Sequence, residues 1–393
     1  LIRMELDRKK DTISVKEPES VSSLQNGHYG NMKKGIIYLN PEEVLYIMDI
    51  RNGKVFDESG NQYSFNDVAS QFLKIEKLLA RYLTYKDWRD KGLILRYMNE
   101  ASGNYNRTHA KKYTHSEFKI DSYGFDGLFF PEDLQTVIDD EVVAKDLYEK
   151  HWLGQFGTYK AAHRGKIGKL DIYETIFLMK HGSIKLKNKD ITVNKILELA
   201  EDRIKFFSDM YSVYEDWRLR GYVIKTGFKF GTHFRLYFPG ASPIREGDEW
   251  MHSRHVIHVF SRKSKMLISE WARAIRVAHS VKKTFILAIP GKKLDIKVNN
   301  KKPRVDFLLY HRKRDGIENP KDDKPKYLML SLTEDEYIGG EGLAEALFEA
   351  RHYGLELIMA ISDRESSVTY YAIKKIDLPK SEYEYFEIEW VQP

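Results

Sequence analysis

The stretch Tyr85-Lys-Asp-Trp88-Arg-Asp-Lys-Gly92-Leu-Ile-Leu-Arg96 returns as Tyr214-Glu-Asp-Trp217-Arg-Leu-Arg-Gly221-Tyr-Val-Ile-Lys225, an offset of 129 residues. Tryptophan, glycine and the charges stay in register, the mark of a duplicated structural unit. Upstream, Pro41-Glu-Glu43-Val-Leu45-Tyr-Ile-Met48 echoes Tyr173-Glu174-Thr-Ile176-Phe-Leu-Met179, and residues 24–30 loosely echo residues 147–154. The N-terminal segment therefore copies residues 124–225.

A second repeat lies further along. Ala274-Ile-Arg276-Val-Ala278-His-Ser-Val-Lys-Lys283-Thr-Phe-Ile-Leu-Ala288-Ile289 aligns without gaps on Ala346-Leu-Phe348-Glu-Ala350-Arg-His-Tyr-Gly-Leu355-Glu-Leu-Ile-Met-Ala360-Ile361, an offset of 72. With N for the first kind of unit and C for the second, the order is N, then N joined to C, then C. Residues 99–121 are polar and almost without aliphatic side chains, and residues 313–326 are charged and carry two prolines, so both read as linkers. The expected division is an N-type module at 1–98, a linker at 99–121, an N-C unit made of 122–225 and 226–312, a linker at 313–326, and a second C-type module at 327–393. A lone N and a lone C at opposite ends can pair as a split copy of the central unit.

The chain has 393 residues, enough for two or three folded units, and 42% apolar residues are enough to build real cores. Lys and Arg (64) outnumber Asp and Glu (58), leaving +6, which leans toward an anionic partner such as RNA. With no cysteine there is no disulfide, thiolate metal site or cysteine nucleophile. No run approaches the roughly 18 apolar residues of a membrane span, and the charged start is not a secretory signal. The expectation is a soluble, cytoplasmic protein without a membrane partner.

Each N copy reads as short strands followed by amphipathic helix. Across residues 191–218, Val193, Ile196, Leu197, Ala200, Ile204 and Phe207 recur at helical spacing. The C copy reads as strand, hairpin, strand, helix, strand. Phe234, Leu236 and Phe238 alternate with Arg235 and Tyr237, which puts the tyrosine on the polar face. Leu267, Trp271, Ala274, Ile275 and Ala278 form one helical stripe, and residues 284–289 read as a buried strand. The fold class is α/β in the broad sense (α+β), with mixed-sheet modules in tandem.

Three groups in the central C unit occupy element ends: Tyr237, His252 and Lys283. Cleaving RNA needs no external nucleophile, because the ribose 2'-OH can attack its own phosphate. The protein must supply a base for that hydroxyl, an acid for the departing 5'-oxygen, and positive charge near the phosphorane. Tyr, His and Lys meet those needs without metal or cofactor. A phenol titrates near 10 when unperturbed, so a tyrosine base needs cations beside it, and Arg235 and Lys283 are candidates. The terminal copy has Leu355 where the central copy has Lys283, and Phe348 where it has Arg276. One copy is chemically blank.

Gly221-Tyr-Val-Ile-Lys-Thr226-Gly-Phe-Lys-Phe-Gly231-Thr-His-Phe-Arg-Leu-Tyr237, then His252-Ser253, then Arg276-Val-Ala-His279-Ser-Val-Lys-Lys283 together resemble the catalytic half of archaeal tRNA-splicing endonuclease. The order N, N-C, C resembles the three-unit homodimeric (epsilon-2 type) class. The resemblance implies tandem N-terminal and C-terminal modules of the tRNA endonuclease, the latter a restriction-endonuclease-like mixed sheet. It further implies a homodimer that excises introns from precursor tRNA at bulge-helix-bulge motifs without metal, leaving a 2',3'-cyclic phosphate and a 5'-hydroxyl. On this resemblance 226–312 is the catalytic C-type module and 327–393 the inactive one. Tyr237 matches the general base, His252 the general acid and Lys283 the transition-state stabiliser, with Lys282 and His255 as rivals of the last two. Arg276 matches one of two cations that sandwich a bulge base; Arg304 and Arg312 are candidates for the other. The rival function is a noncatalytic scaffold that binds structured RNA.

The second N copy carries an insertion. Between Gly154 and Gly168 it has gained nine residues over the span from Gly30 to Gly35, including Tyr159, Lys160, His163, Arg164 and Lys166. Such a basic loop beside a catalytic unit can contact RNA phosphates. Glu334-Asp335-Glu336 and Glu341 make an acidic stretch that resembles the family's assembly loop. His252, His255 and His258 do not share one strand face, and no carboxylate joins them at ligand spacing, so no metal site is expected. The glycines of residues 225–231 match neither the P-loop nor the dinucleotide fingerprint.

Overall fold

The computed structural model describes residues 1–8, 10–182, 184–247, 252–292, 295–299 and 302–393. Part of the segment between Tyr237 and His252, residues 248–251, lies outside the described residues.

Among the described residues an eleven-stranded sheet runs through the molecule. Ten of its strands are β1 (Leu95–Tyr97), β2 (Val223–Thr226), β3 (Phe234–Tyr237), β4 (His255–Val259), β5 (Thr284–Ile289), β6 (Phe307–Leu309), β7 (Tyr327–Thr333), β8 (Glu356–Ser362), β9 (Val368–Asp377) and β10 (Glu384–Val391). Their spatial order is β2-β3-β4-β5-β10-β9-β8-β7-β6-β1. The pairings β2 with β3 and β3 with β4 are antiparallel, β4 with β5 parallel, and β5 with β10 antiparallel. From the other end, β1 with β6, β6 with β7, β7 with β8 and β8 with β9 repeat the same senses. The antiparallel pair β9 and β10 closes the two halves on each other, a pseudo-twofold arrangement within one chain. β6 lies within the 226–312 stretch, yet it bonds to β1 and β7, at the far end of the sheet from β3. The last strand, β10, lies within 327–393, yet it borders β5. Local sequence pattern does not set such long-range pairings.

One face of this sheet carries α7 (Ile268–Ser280) and α8 (Gly340–His352), whose Trp271, Ile275, Leu343 and Leu347 share a core with Phe285, Leu287, Leu357 and Met359. The stripe read from the sequence faces that core. The other face carries the two N copies. The first is a six-stranded sheet from residues 2–63 with α1 (Pro41–Ile50) and α2 (Leu78–Asp90). The second is a five-stranded sheet from residues 126–186 with α3 (Glu141–His151), α4 (Ile172–His181), α5 (Val193–Arg203) and α6 (Phe207–Leu219).

The repeated residues do repeated work. Trp88 and Trp217 are fully buried under their helices. Asp87 accepts from the Tyr370 hydroxyl at 2.5 Å and Asp216 from the Tyr385 hydroxyl at 2.6 Å, so each N copy is pinned to one of the two central strands. Gly92 (φ 76°) and Gly221 (φ 83°) take the left-handed conformation that lets the chain leave each helix for β1 or β2. Glu43 and Glu174 cap α1 and α4, accept from the Gly30 and Gly154 amides at 2.8 and 2.9 Å, and face Arg96 and Lys225.

Two local expectations change. The periodic run over 191–218 is two helices, because Phe206 at φ 60° breaks the hydrogen-bond ladder, as Lys77 does at φ 56° before α2. The polar segment 99–121 is laid along the sheet: Lys111–Lys112 pairs with β9, Tyr113 bonds Glu387, and the Ser116 amide bonds the Arg220 carbonyl at 3.0 Å. A backbone without aliphatic side chains still satisfies its polar groups this way.

Candidate active site

A cleft of about 780 Å³ opens between the second N copy and β3. Tyr237 and Arg235 line it from β3, and His252 from the segment before β4. Trp152, Tyr159 and Lys160 face them from the N copy.

Tyr237 shares a strand face with Arg235 and is only 4% exposed. The N copy covers it: the Trp152 ring lies 4.6 Å away, tilted, and Trp152 holds that pose at φ 46° where α3 ends. Burial pushes the phenol above its ordinary range; the Arg235 guanidinium, 5.9 Å from the ring, pushes the other way.

Lys283 follows α7 at the start of β5, because the parallel pairing of β4 and β5 brings the two strand starts together. Its ammonium donates to the Ser253 carbonyl and, at 3.1 Å, to the Ser253 hydroxyl. It also lies 4.6 Å from the centre of the Phe230 ring. Burial, then Arg235, lower its pKa. Buried Ser253, the residue after His252, thus holds the Lys283 ammonium. His252 is exposed at the cleft wall.

The rivals lie elsewhere. His255 is boxed by Tyr113 and Phe238, ring centres at 5.9 and 5.0 Å, and burial pushes it down to about 4. Lys282 is exposed at φ 57°. Arg276 is exposed on α7, its Nε bonded to the Ala272 carbonyl at 3.3 Å, and does not line the cleft. Arg304 pairs with Glu345 at 2.8 Å and Arg312 donates to the Lys91 carbonyl at 3.1 Å, which engages both in the other half of the chain. Of the insertion, Lys160 lines the cleft; His163 and Arg164 are exposed beyond it and Lys166 pairs with Glu141 at 3.6 Å. The acidic stretch is partnered within the chain: Glu336 faces Lys77 at 3.4 Å, Asp335 faces Arg364 at 2.7 Å, and Tyr337–Gly339 pairs with Lys265–Leu267.

Beneath the cleft lies a charged group the sequence reading did not isolate. Lys225 donates to Glu174 at 2.6 Å, and the adjacent Asp171 is pushed up to about 7 by burial and then by Glu174. The first N copy has Asn40 at the helix-capping position of Asp171. Ser253 was visible in the quoted motif, but its hold on Lys283 needs the fold.

Residues 207–298 match the family model of the tRNA intron endonuclease catalytic C-terminal domain. The chain is 31% identical over 168 residues to the tRNA-splicing endonuclease of Pyrobaculum islandicum, covering 40% of this chain and 88% of that protein. It is 35% identical over 146 residues to that of Thermococcus gammatolerans (36% and 82% covered) and 34% over 176 residues to that of Methanopyrus kandleri (44% and 88%).

The chain belongs to the tRNA-splicing endonuclease family. Tyr237, His252, Ser253 and Lys283 fall within the matched catalytic domain of a tRNA intron endonuclease, and residues 135–174, outside the match, make the facing wall of the cleft. The chain is longer than each of these three tRNA-splicing endonucleases, which match 36–44% of it. Among the described residues no helix is long and apolar enough to cross a membrane.

Proposed function

We propose that the chain cleaves precursor tRNA at the exon-intron junctions of bulge-helix-bulge motifs, by metal-independent transphosphorylation. The 2'-oxygen attacks the adjacent phosphorus while its proton passes to the Tyr237 phenolate. The P–O5' bond then breaks as the His252 imidazolium protonates the leaving oxygen. The products are a 2',3'-cyclic phosphate and a 5'-hydroxyl. Lys283 and Arg235 stabilise both phenolate and phosphorane. The observation that carries this reading is the meeting of Tyr237, Arg235 and His252 on one cleft wall, with the Lys283 ammonium held by Ser253, the residue next to His252.

The module assignment follows the same reading. Residues 122–225 and 226–312 hold the catalytic unit, while 1–98 and 327–393 form the split, inactive copy. The pairing of β1 with β6, which repeats that of β2 with β3, supports the split and extends the inactive copy back to β6. One site per chain and two junctions per intron favour a homodimer in the cytoplasm. Lys160, with His163, Arg164 and Lys166 behind it, contacts RNA phosphates, and Arg276 clamps a bulge base.

The test is cleavage of an intron-containing precursor tRNA in EDTA. Lys283→Ala and His252→Ala abolish product while RNA binding survives. Unchanged turnover in either variant removes the mechanism. Binding without product from the wild-type protein establishes the scaffold function instead.

A further inference from the structure

The turn between β2 and β3, residues 227–231, has one closed conformation. The Gly227 amide bonds the His233 carbonyl at 2.9 Å and the Phe230 amide bonds the Gly227 carbonyl at 2.8 Å. A Cβ on Gly227 would come within 2.5 Å of Thr232 Oγ1 and 2.8 Å of the Phe234 nitrogen, and Gly231 sits at φ 64°. The two phenylalanines of this turn diverge. Phe230 lies under the Lys283 ammonium, whereas Phe228 is 87% exposed. Between them Lys229 reaches over the insertion, its ammonium 5.3 Å from the Tyr159 ring. Thr226, two residues before Phe228, lines the cleft.

The other half shows that the turn does not require an exposed ring. β1 leads into the same kind of tight turn, Met98–Glu100. Strand register places Asn99 at the position of Phe228 and Glu100 at that of Lys229. Glu100 there turns back to Arg96 at 2.8 Å. The copy without Lys283 thus has a polar residue and the opposite charge where the other presents a phenyl face and an ammonium.

We propose that Phe228 and Lys229 form a nucleobase subsite for the tRNA substrate. The phenyl face stacks an unpaired base next to the scissile linkage, and the Lys229 ammonium meets its phosphate. Single-stranded RNA is recognised in this way, because every base has a π-face and a charge beside it. The neighbouring cations Lys229, Lys282 and Lys283 favour an anionic occupant over a second copy of this chain. The inference rests on the reading of the Tyr237 cleft as the cleavage site.

The experiment measures affinity for a precursor tRNA blocked by 2'-deoxy substitution at the cleavage position. Phe228→Ala is expected to weaken binding roughly tenfold, with Phe228→Trp restoring it. Lys229→Ala is expected to reduce the salt dependence by about one counterion. An abasic nucleotide in the bulge should erase the difference between Phe228→Ala and wild type. Wild-type affinity in Phe228→Ala, with normal cleavage by wild type, overturns the subsite and leaves the cleavage reading intact. Phe228→Leu matching Phe228→Trp, or a changed solution mass in Phe228→Ala, also overturns it. Failure of the wild-type protein to cleave unmodified RNA overturns the cleavage reading first, and the subsite with it.

Discussion

Tyr310, directly after β6, occupies the place that Tyr237 occupies at the end of β3: Tyr237 pairs with Val223, and the Tyr310 amide bonds the Ile94 carbonyl at 2.9 Å, one repeat of 129 residues earlier. Both phenols are buried, and burial pushes Tyr310 up to about 12. What differs is the company. The offset of 72 puts Pro325 at the place of Ser253 and Leu355 at that of Lys283.

The pair makes an internal control. Tyr237→Phe should lower single-turnover cleavage by about 100-fold or more, the usual weight of a general base. Tyr310→Phe should leave it within about twofold, since Pro325 and Leu355 stand there in place of Ser253 and Lys283. Equal losses in both would show that the tyrosines are only structural.

Ser253→Ala removes the hydroxyl that accepts from Lys283 but keeps the carbonyl that also holds the ammonium. Loss of one hydrogen bond to a charged group, about 1.5–3 kcal/mol, should lower the cleavage rate roughly 10- to 100-fold with little change in RNA affinity. Rate and affinity measured side by side check the split. Restoration by Ser253→Thr supports a positioning role.

The sequence disclosed the repeats because the residues that carry them do chemistry that tolerates little change. Trp88 and Trp217 fill equivalent cores, and Asp87 and Asp216 each hold a tyrosine of the central strands. Glu43 and Glu174 were visible as an echo, though not as caps facing Arg96 and Lys225. Hidden altogether was the meeting of β5 with β10, since the two strands lie far apart in the chain and neither local period nor turn chemistry names a partner across that distance. The breaks at Lys77 and Phe206 were also hidden, because left-handed φ at a lysine or phenylalanine has no compositional signal. The alternation that placed Tyr237 on the polar face was read correctly as a strand. It does not disclose that Trp152, from the second N copy, covers the ring.

Lys225→Ala leaves Glu174 buried beside Asp171 without its cation. Removing one partner of a buried ion pair costs about 3–5 kcal/mol, so the denaturant midpoint should fall accordingly. The two amides that still bond Glu174, those of Gly154 and Asp171, place the expectation near the lower end. An unchanged midpoint would show that the pair carries little weight.

Stability should fall in mild acid. Burial holds His233 and His255 to about 4 and His258 to about 3. In the unfolded chain they titrate near 6.5, so below that pH the unfolded state binds protons that the folded state refuses. Their contribution is intact above about 6.5 and is lost as the pH falls toward 4, at up to about 1.4 kcal/mol per pH unit for each histidine. Denaturant melts at pH 7, 6 and 5 check the slope, and His258→Leu should flatten it if that variant remains folded.

The most direct measurement is the chemistry of the cut ends. Wild-type protein incubated in EDTA with an intron-containing precursor tRNA should release fragments ending in 2',3'-cyclic phosphate and beginning with 5'-hydroxyl, and should leave a substrate with 2'-deoxy at both junctions intact. Cleavage that requires magnesium, yields 5'-phosphate ends, or proceeds on the 2'-deoxy substrate would contradict the account.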